Sequence, residues 1–154
     1  MNRMKPMLLT ALAAAALVAG GAMASAASPA ETIAARQANF KKMGGAMKAL
    51  KDELGGGADK AKLLAAARTL AGTARLQGGL FPAGTGPSSG VKTDALLAIW
   101  MQKPVFDAAA AKLVTEADKL AGLAGSGNTA AVLAQFKVVG GTCAACHRQF
   151  RAEE

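Results

Sequence analysis

Residues 129–150 read TAAVLAQFKVVGGTCAACHRQF, and within them Leu133, Phe136, Gly140, Cys143, His147 and Phe150 recur at alternating spacings of three and four. That period belongs to a helix with one inward face, opened by Thr129 after the break at Gly125-Ser126-Gly127-Asn128. Toward the N-terminus the same rhythm carries Ile33, Arg36, Phe40, Met43, Met47, Leu50 and Leu54, with Arg36 the only charge in the stripe. Ser28-Pro29-Ala30-Glu31 predicts how this first helix starts: Ser28 as N-cap, Pro29 at the first helical position and Glu31 reaching back as a capping box. Gly55-Gly56-Gly57 ends it, and Asp59 precedes a second helix with Leu63, Leu64, Ala67, Leu70 and Ala74 inward.

From Gly78 to Val91 the chain turns to GGLFPAGTGPSSGV, a long connection of poor helix formers. Thr93-Asp94 then predicts the N-cap region of a third helix, with Leu97, Ile99, Trp100, Phe106, Ala110, Leu113 and Leu120 inward and a kink or restart at Pro104. No strand alternation or repeat interrupts the pattern. The expected fold is all-α, an antiparallel four-helix bundle.

Composition narrows the rest. The 154 residues are 52% hydrophobic but 4% aromatic, and their formal charge of +8 is spread without a long like-charge block. Disorder and a nucleic-acid-binding tail are both disfavoured. A core of Ala, Leu and Met would be thinly packed unless something large and flat sat inside it. Residues 1–26 carry Arg3 and Lys5, an apolar run from Met7 to Ala19 and small residues around Ala24 and Ala26. This is the pattern of a cleaved export signal, and the apolar run is shorter than the roughly 20 residues of a spanning helix. One helical domain over 27–154 is expected, of charge +8 − 2 = +6, exported and without stable membrane insertion.

Cys143-Ala144-Ala145-Cys146-His147 is C-x-x-C-H, the attachment pattern of c-type haem. On a helix these three side chains share one face, so two thiols can take the vinyl groups while the imidazole reaches the iron. Competing uses fit less well. A dithiol oxidoreductase wants its pair at a helix start beside a βαβ pattern. A disulfide here would close a very short loop, and a zinc site would need carboxylates beside the two cysteines and one histidine.

CAACH near the C-terminus, ARQANFKKMGGAMK on the first helix, LFPAGT in the long loop and IWMQKPVF on the third helix together resemble the class II c-type cytochromes. Within that class they are most similar to the cytochrome c prime family, itself a standard example of the four-helix bundle. The resemblance implies one covalent haem c at Cys143 and Cys146, with His147 as iron ligand. It also implies Arg36 and Gln37 near the propionates and Phe40 over the far side of the iron, which would then be five-coordinate. Met43, one turn along the same stripe, is the alternative sixth ligand of a low-spin electron carrier. Arg151 resembles the family's proximal arginine. Thr93 and Asp94 are expected at the haem edge or as N-caps, and Trp100 and Phe106 against the porphyrin or in the core. The implied activity is electron transfer and binding of nitric oxide, with carbon monoxide weaker, rather than substrate turnover. A periplasmic location, an acidic redox partner and a homodimer through the first two helices complete the expectation. Gly44-Gly45 costs helix stability, which close approach of another helix would explain.

Overall fold

The computed structural model describes residues 27–153, so the export segment expected over 1–26 lies outside the described residues. Local chemistry places most helix ends. Helix α1 (Pro29–Gly55) starts with the capping box: Glu31 N donates to Ser28 Oγ at 3.3 Å while Ser28 N donates to the Glu31 carboxylate at 2.7 Å. Helix α2 (Lys60–Gln77) is capped by Asp59, whose carboxylate accepts from Lys62 N at 2.9 Å. Helix α5 (Thr129–Phe150) is capped by Asn128 Oδ1, which accepts from Ala131 N at 3.0 Å. Each cap satisfies a backbone donor that the first turn leaves without a helical partner.

The third expected helix is corrected. It does not begin at Thr93-Asp94: a single turn, α3 (Ala98–Met101), comes first, and after a break at Gln102 the chain restarts as α4 (Lys103–Ser126) with Pro104 in its opening turn. Residues 93–96 are diverted into tertiary bonds. Leu96 N donates to Phe150 O at 3.0 Å, Ala152 N donates to Asp94 O at 2.8 Å, and Ala95 pairs with Arg151 in an antiparallel bridge. Leu97 accordingly points outward, 55% exposed.

Long-range pairs give the helix directions. Asn39 bonds Thr73 and Lys62 pairs with Glu53 across α1 and α2. Across α2 and α4 Arg75 pairs with Asp118, and a Cβ placed on Gly125 would lie 3.9 Å from Leu64. Gln135 bonds Glu116, and Gln149 bonds Gln102, across α4 and α5. In each case numbers rise on one helix as they fall on the other, so consecutive long helices are antiparallel. Helix α1 packs on α2, α2 on α4 and α4 on α5, while α1 and α5 touch only sparsely.

Two hydrophobic clusters divide the interior. One is aliphatic, built around Leu50, Leu70, Ala67, Ala117, Leu120, Val132 and Val139. The other is aromatic, joining Phe81, Ile99, Phe106 and Phe150. Helix α5 serves both, which shifts one expected position: Val132 enters the core and Leu133 stays 40% exposed, because the helix turns one face to α4 and another to the gap beside α1. By length and composition alone α5 is apolar enough to cross a membrane, although only 11% of that window is buried in the bundle; part of the rest borders the cleft beside α1.

Candidate functional site

The sparse contact between α1 and α5 leaves a cleft of about 510 Å³. Cys143, Cys146 and His147 form its α5 wall, and Arg36, Phe40, Met43 and Gly44 stand on the α1 wall. Phe81, Phe106 and Phe150 also line it, with Thr93, Asp94 and Arg151 at the edge. The one-face arrangement expected of the C-x-x-C-H segment is therefore present, on the last turns of a capped helix.

Both cysteines are free thiols and half-buried, and burial pushes both above the usual thiol range; Cys146 is raised further by its neighbour Cys143. They sit far from the N-terminus of α5, where a helix would favour a thiolate. That is the reverse of what thiol exchange requires. The His147 imidazole is lowered by partial burial and by the Arg151 charge, which favours the neutral form with a lone pair free to bind a metal. A largely apolar cleft with two thiols and an imidazole along one wall, and cationic and polar groups at its edge, suits a flat apolar group with a charged rim. The residues present fit a covalently held haem.

Arg36 is only 3% exposed, and its two terminal nitrogens are spent on the long loop. Nη2 donates to Thr85 O and Thr93 Oγ1, each at 2.9 Å, and Nη1 to Thr85 Oγ1 at 3.3 Å and Leu80 O at 3.4 Å. The Phe81 ring lies 4.6 Å from the guanidinium carbon, a cation–π contact that partly offsets the burial of the charge. Arg36 is thus a loop clamp. It is not a residue snorkelling at the bundle edge. Gln37 is exposed and donates to Lys92 O at 3.2 Å, tying the same loop one step further along.

Phe40 is half-buried and meets Phe81 edge-on, with ring centroids 6.2 Å apart. Met43, 5% exposed, packs into the aliphatic cluster as well as bordering the cleft. Thr93 and Asp94 do reach the cleft, but neither caps a helix: the Thr93 hydroxyl accepts from Arg36, and the Asp94 carboxylate lies 3.7 Å from the Arg151 guanidinium. Phe106 lines the cleft as expected. Trp100 does not: its indole donates to Pro82 O at 3.0 Å, and its ring covers Gly86 so closely that a Cβ there would lie 2.9 Å away. It fastens the loop and packs on the aromatic cluster, its ring centroid 6.3 Å from that of Phe81. Within this chain nothing lies within 4 Å of a side chain placed at Gly44 or Gly45, so no helix of the same chain makes the close approach; Gly44 gives the cleft room.

Phe81 and Thr85 stand in the LFPAGT segment that carries the resemblance, but their roles, and that of Gly86, were not legible from it. The one local signal was a phenylalanine placed beside proline in an otherwise small and polar loop.

Comparison with known proteins follows the same outline. A family model described as cytochrome c' matches residues 31–151. The chain is 35% identical over 138 residues to a cytochrome c' of Allochromatium vinosum, covering 88% of this chain and 90% of that one. With a cytochrome c' of Rhodospirillum rubrum it shares 41% over 73 residues, which is 47% of this chain and 48% of the other. A solved cytochrome c' described as having ligand-controlled dimer dissociation superposes with a TM-score of 0.80 at 33% identity, over 84% of this chain and 100% of that one. A nitric oxide complex of a single-residue variant of cytochrome c prime from Alcaligenes xylosoxidans superposes with a TM-score of 0.74 at 26% identity, over 82% and 98%.

Proposed function

The chain belongs to the cytochrome c' family, and on that premise we propose that it is an exported, periplasmic monohaem cytochrome whose five-coordinate iron binds nitric oxide. Members of the family are redox carriers, and the chain is not an enzyme. In this reading Cys143 and Cys146 hold the haem through thioether bonds and His147 supplies the one protein ligand to iron. The haem contributes a one-electron couple and an open coordination position. Everything else is the work of the chain. Arg36 brings positive charge, and Gln37 an amide, to the propionate edge, both already fastened to the loop. Phe40 covers the vacant side with a ring that cannot coordinate and excludes water from it.

The observation that carries the reading is the division of labour on α1. Phe40 borders open space, whereas Met43 is buried in the aliphatic cluster. Because Met43 also borders the cleft, a six-coordinate carrier ligated by Met43 is the second reading. The haem-free oxidoreductase is opposed by two thiols raised by burial at the wrong end of a helix. The nitric oxide complex of the Alcaligenes xylosoxidans relative supports the gas assignment. Carbon monoxide, meeting the same Phe40 ring, is proposed to bind more weakly. A homodimer accords with the dimer described for the other superposed relative, and the outer faces of α1 and α2 are proposed to form it.

Absorption spectra of the matured protein test this directly. A high-spin ferric spectrum unchanged by Met43→Leu, with carbon monoxide affinity raised by Phe40→Ala, is the expected result. A low-spin spectrum whose sulfur-to-iron band disappears in Met43→Leu would replace it with the second reading.

A further inference from the structure

A second depression of about 260 Å³ runs along the outside of the bundle between α4 and α5, lined by Ala109, Lys112, Val138, Ala145, Cys146 and Gln149 among others. Its position matters more than its size. Ala109, Thr142 and Cys146 line this groove and the cleft alike, so a single layer of side chains separates the outer surface from the interior site. Cys146 is the thickness of that wall.

The groove has the composition of a transient protein contact. Its floor is small and apolar, and Val138 is left 46% exposed in it. Val105, four residues before Ala109 and so on the same face of α4, adds a further apolar side chain at 48% exposure. Cations surround this patch. Lys112 lines it, Arg148 is exposed three residues after Ala145, and Lys137 is exposed one residue before Val138. Among the described residues none of the three is in an ion pair. Glu116, the nearest carboxylate along α4, is bonded by Gln135 and Lys119 and also feels the charge of Lys112 one turn before it, leaving the rim with a net positive charge. An apolar centre rimmed by net positive charge is complementary to an acidic surface with an apolar centre.

We propose that the α4/α5 groove is the docking surface for an acidic one-electron protein, with Cys146 the point at which the electron crosses into the cleft. This rests on the reading of haem held by Cys143 and Cys146. In the exchange the partner's centre loses one electron and ferric iron gains it; no bond is made or broken and no proton need move. The groove lies across the bundle from the outer faces of α1 and α2, so a dimer formed there leaves it free. Long-range attraction brings the partner in, and Val138 and Val105 give the encounter its register.

The test uses the full matured protein and, as probe, an acidic blue-copper protein. Lys112→Glu combined with Arg148→Glu should slow bimolecular electron exchange about tenfold or more at low ionic strength, with the loss shrinking at high salt as the charges are screened. Val138→Ser should slow it at both. Lys51→Glu combined with Arg68→Glu, an equal charge change on α1 and α2, should have a much smaller effect. Amide shifts induced by the probe with redox-inert cadmium in place of copper should map to residues 105–112 and 138–149. Equal slowing by both charge-reversal pairs, or a footprint elsewhere, would overturn the proposal. Denaturing mass spectrometry checks the covalent haem separately, and the cadmium footprint reads docking whether or not haem is attached, so failure of the site and failure of the haem assignment are distinguishable.

Discussion

Around Leu50, Leu70, Leu120 and Val132 the helices fill their own interior, and every one of these side chains is at most 1% exposed. Around Phe81, Phe106 and Phe150 the same helices border an open cleft, and a loop is held over it by a guanidinium, an indole and a two-stranded backbone bridge. The difference lies in what supplies the stability. The first region rests on burial, which is additive and tolerant, each buried leucine contributing about 1.5 to 3 kcal/mol. The second rests on a few directional bonds between groups far apart in sequence, and its largest apolar surface faces a space that side chains do not fill. Stability is concentrated where chemistry is absent, and the site is built where packing is incomplete.

Leu120→Ala should have the largest effect, a loss of about 3 to 5 kcal/mol, because it opens a cavity in the self-sufficient region. Urea denaturation should show the same loss with and without haem. A cost below about 1 kcal/mol would mean that this region is not the independent core, and the contrast would fail. Removing both attachment points with Cys143→Ala and Cys146→Ala should act on the other side of the comparison. Hydrogen exchange of residues 80–96 and of the last turns of α5 should accelerate by about two orders of magnitude, or about 3 kcal/mol of local opening. Amides around Leu70 and Leu120 should keep their protection; uniform acceleration would show that the cleft and the core open as one unit.

Arg36→Ala should cost about 2 to 3 kcal/mol, since it leaves Thr85 O and Leu80 O without their charged donor. Exchange should quicken in the loop before it does in α2. Arg36→Lys should recover little of this, because one ammonium cannot reproduce the planar fork that reaches both Thr85 and Thr93. Gly86→Ala is the mildest change, about 1 to 2 kcal/mol, because the added carbon must push Trp100 aside. The single tryptophan makes it easy to follow: its fluorescence should change while the absorption of bound haem does not. A haem spectrum altered by Gly86→Ala would return Trp100 to the cofactor's surroundings.

The legible parts share a property. Ser28 was legible as a cap and the helix starts after Asp59 and Asn128 as starts, each fixed by a bond to a residue three positions away, and Pro104 marks a restart by what it does to its own turn. The C-x-x-C-H face is equally local, since helical geometry alone brings positions 143, 146 and 147 together. The misplaced start of the third helix shows where local reasoning loses. Thr93-Asp94 has the chemistry of a cap, but Arg36, 57 residues away, takes the hydroxyl, and the strand-like pairing with Phe150 and Ala152 takes the backbone. Val132 replaced Leu133 in the core for a related reason: a helix with two inward faces has no single stripe to read.

By itself, then, the sequence determined four long amphipathic helices, where most of them start and stop, and the chemistry carried by the last. Those features depend on contacts within about one helical turn, where residue type and spacing dictate the bond. Only the tertiary structure decided that Arg36 clamps the loop, that Trp100 closes it over Gly86, and that Cys146 stands in a wall one residue thick. Each of these joins groups from elements that approach only when the bundle forms, and no periodicity along the chain encodes which helix will face which.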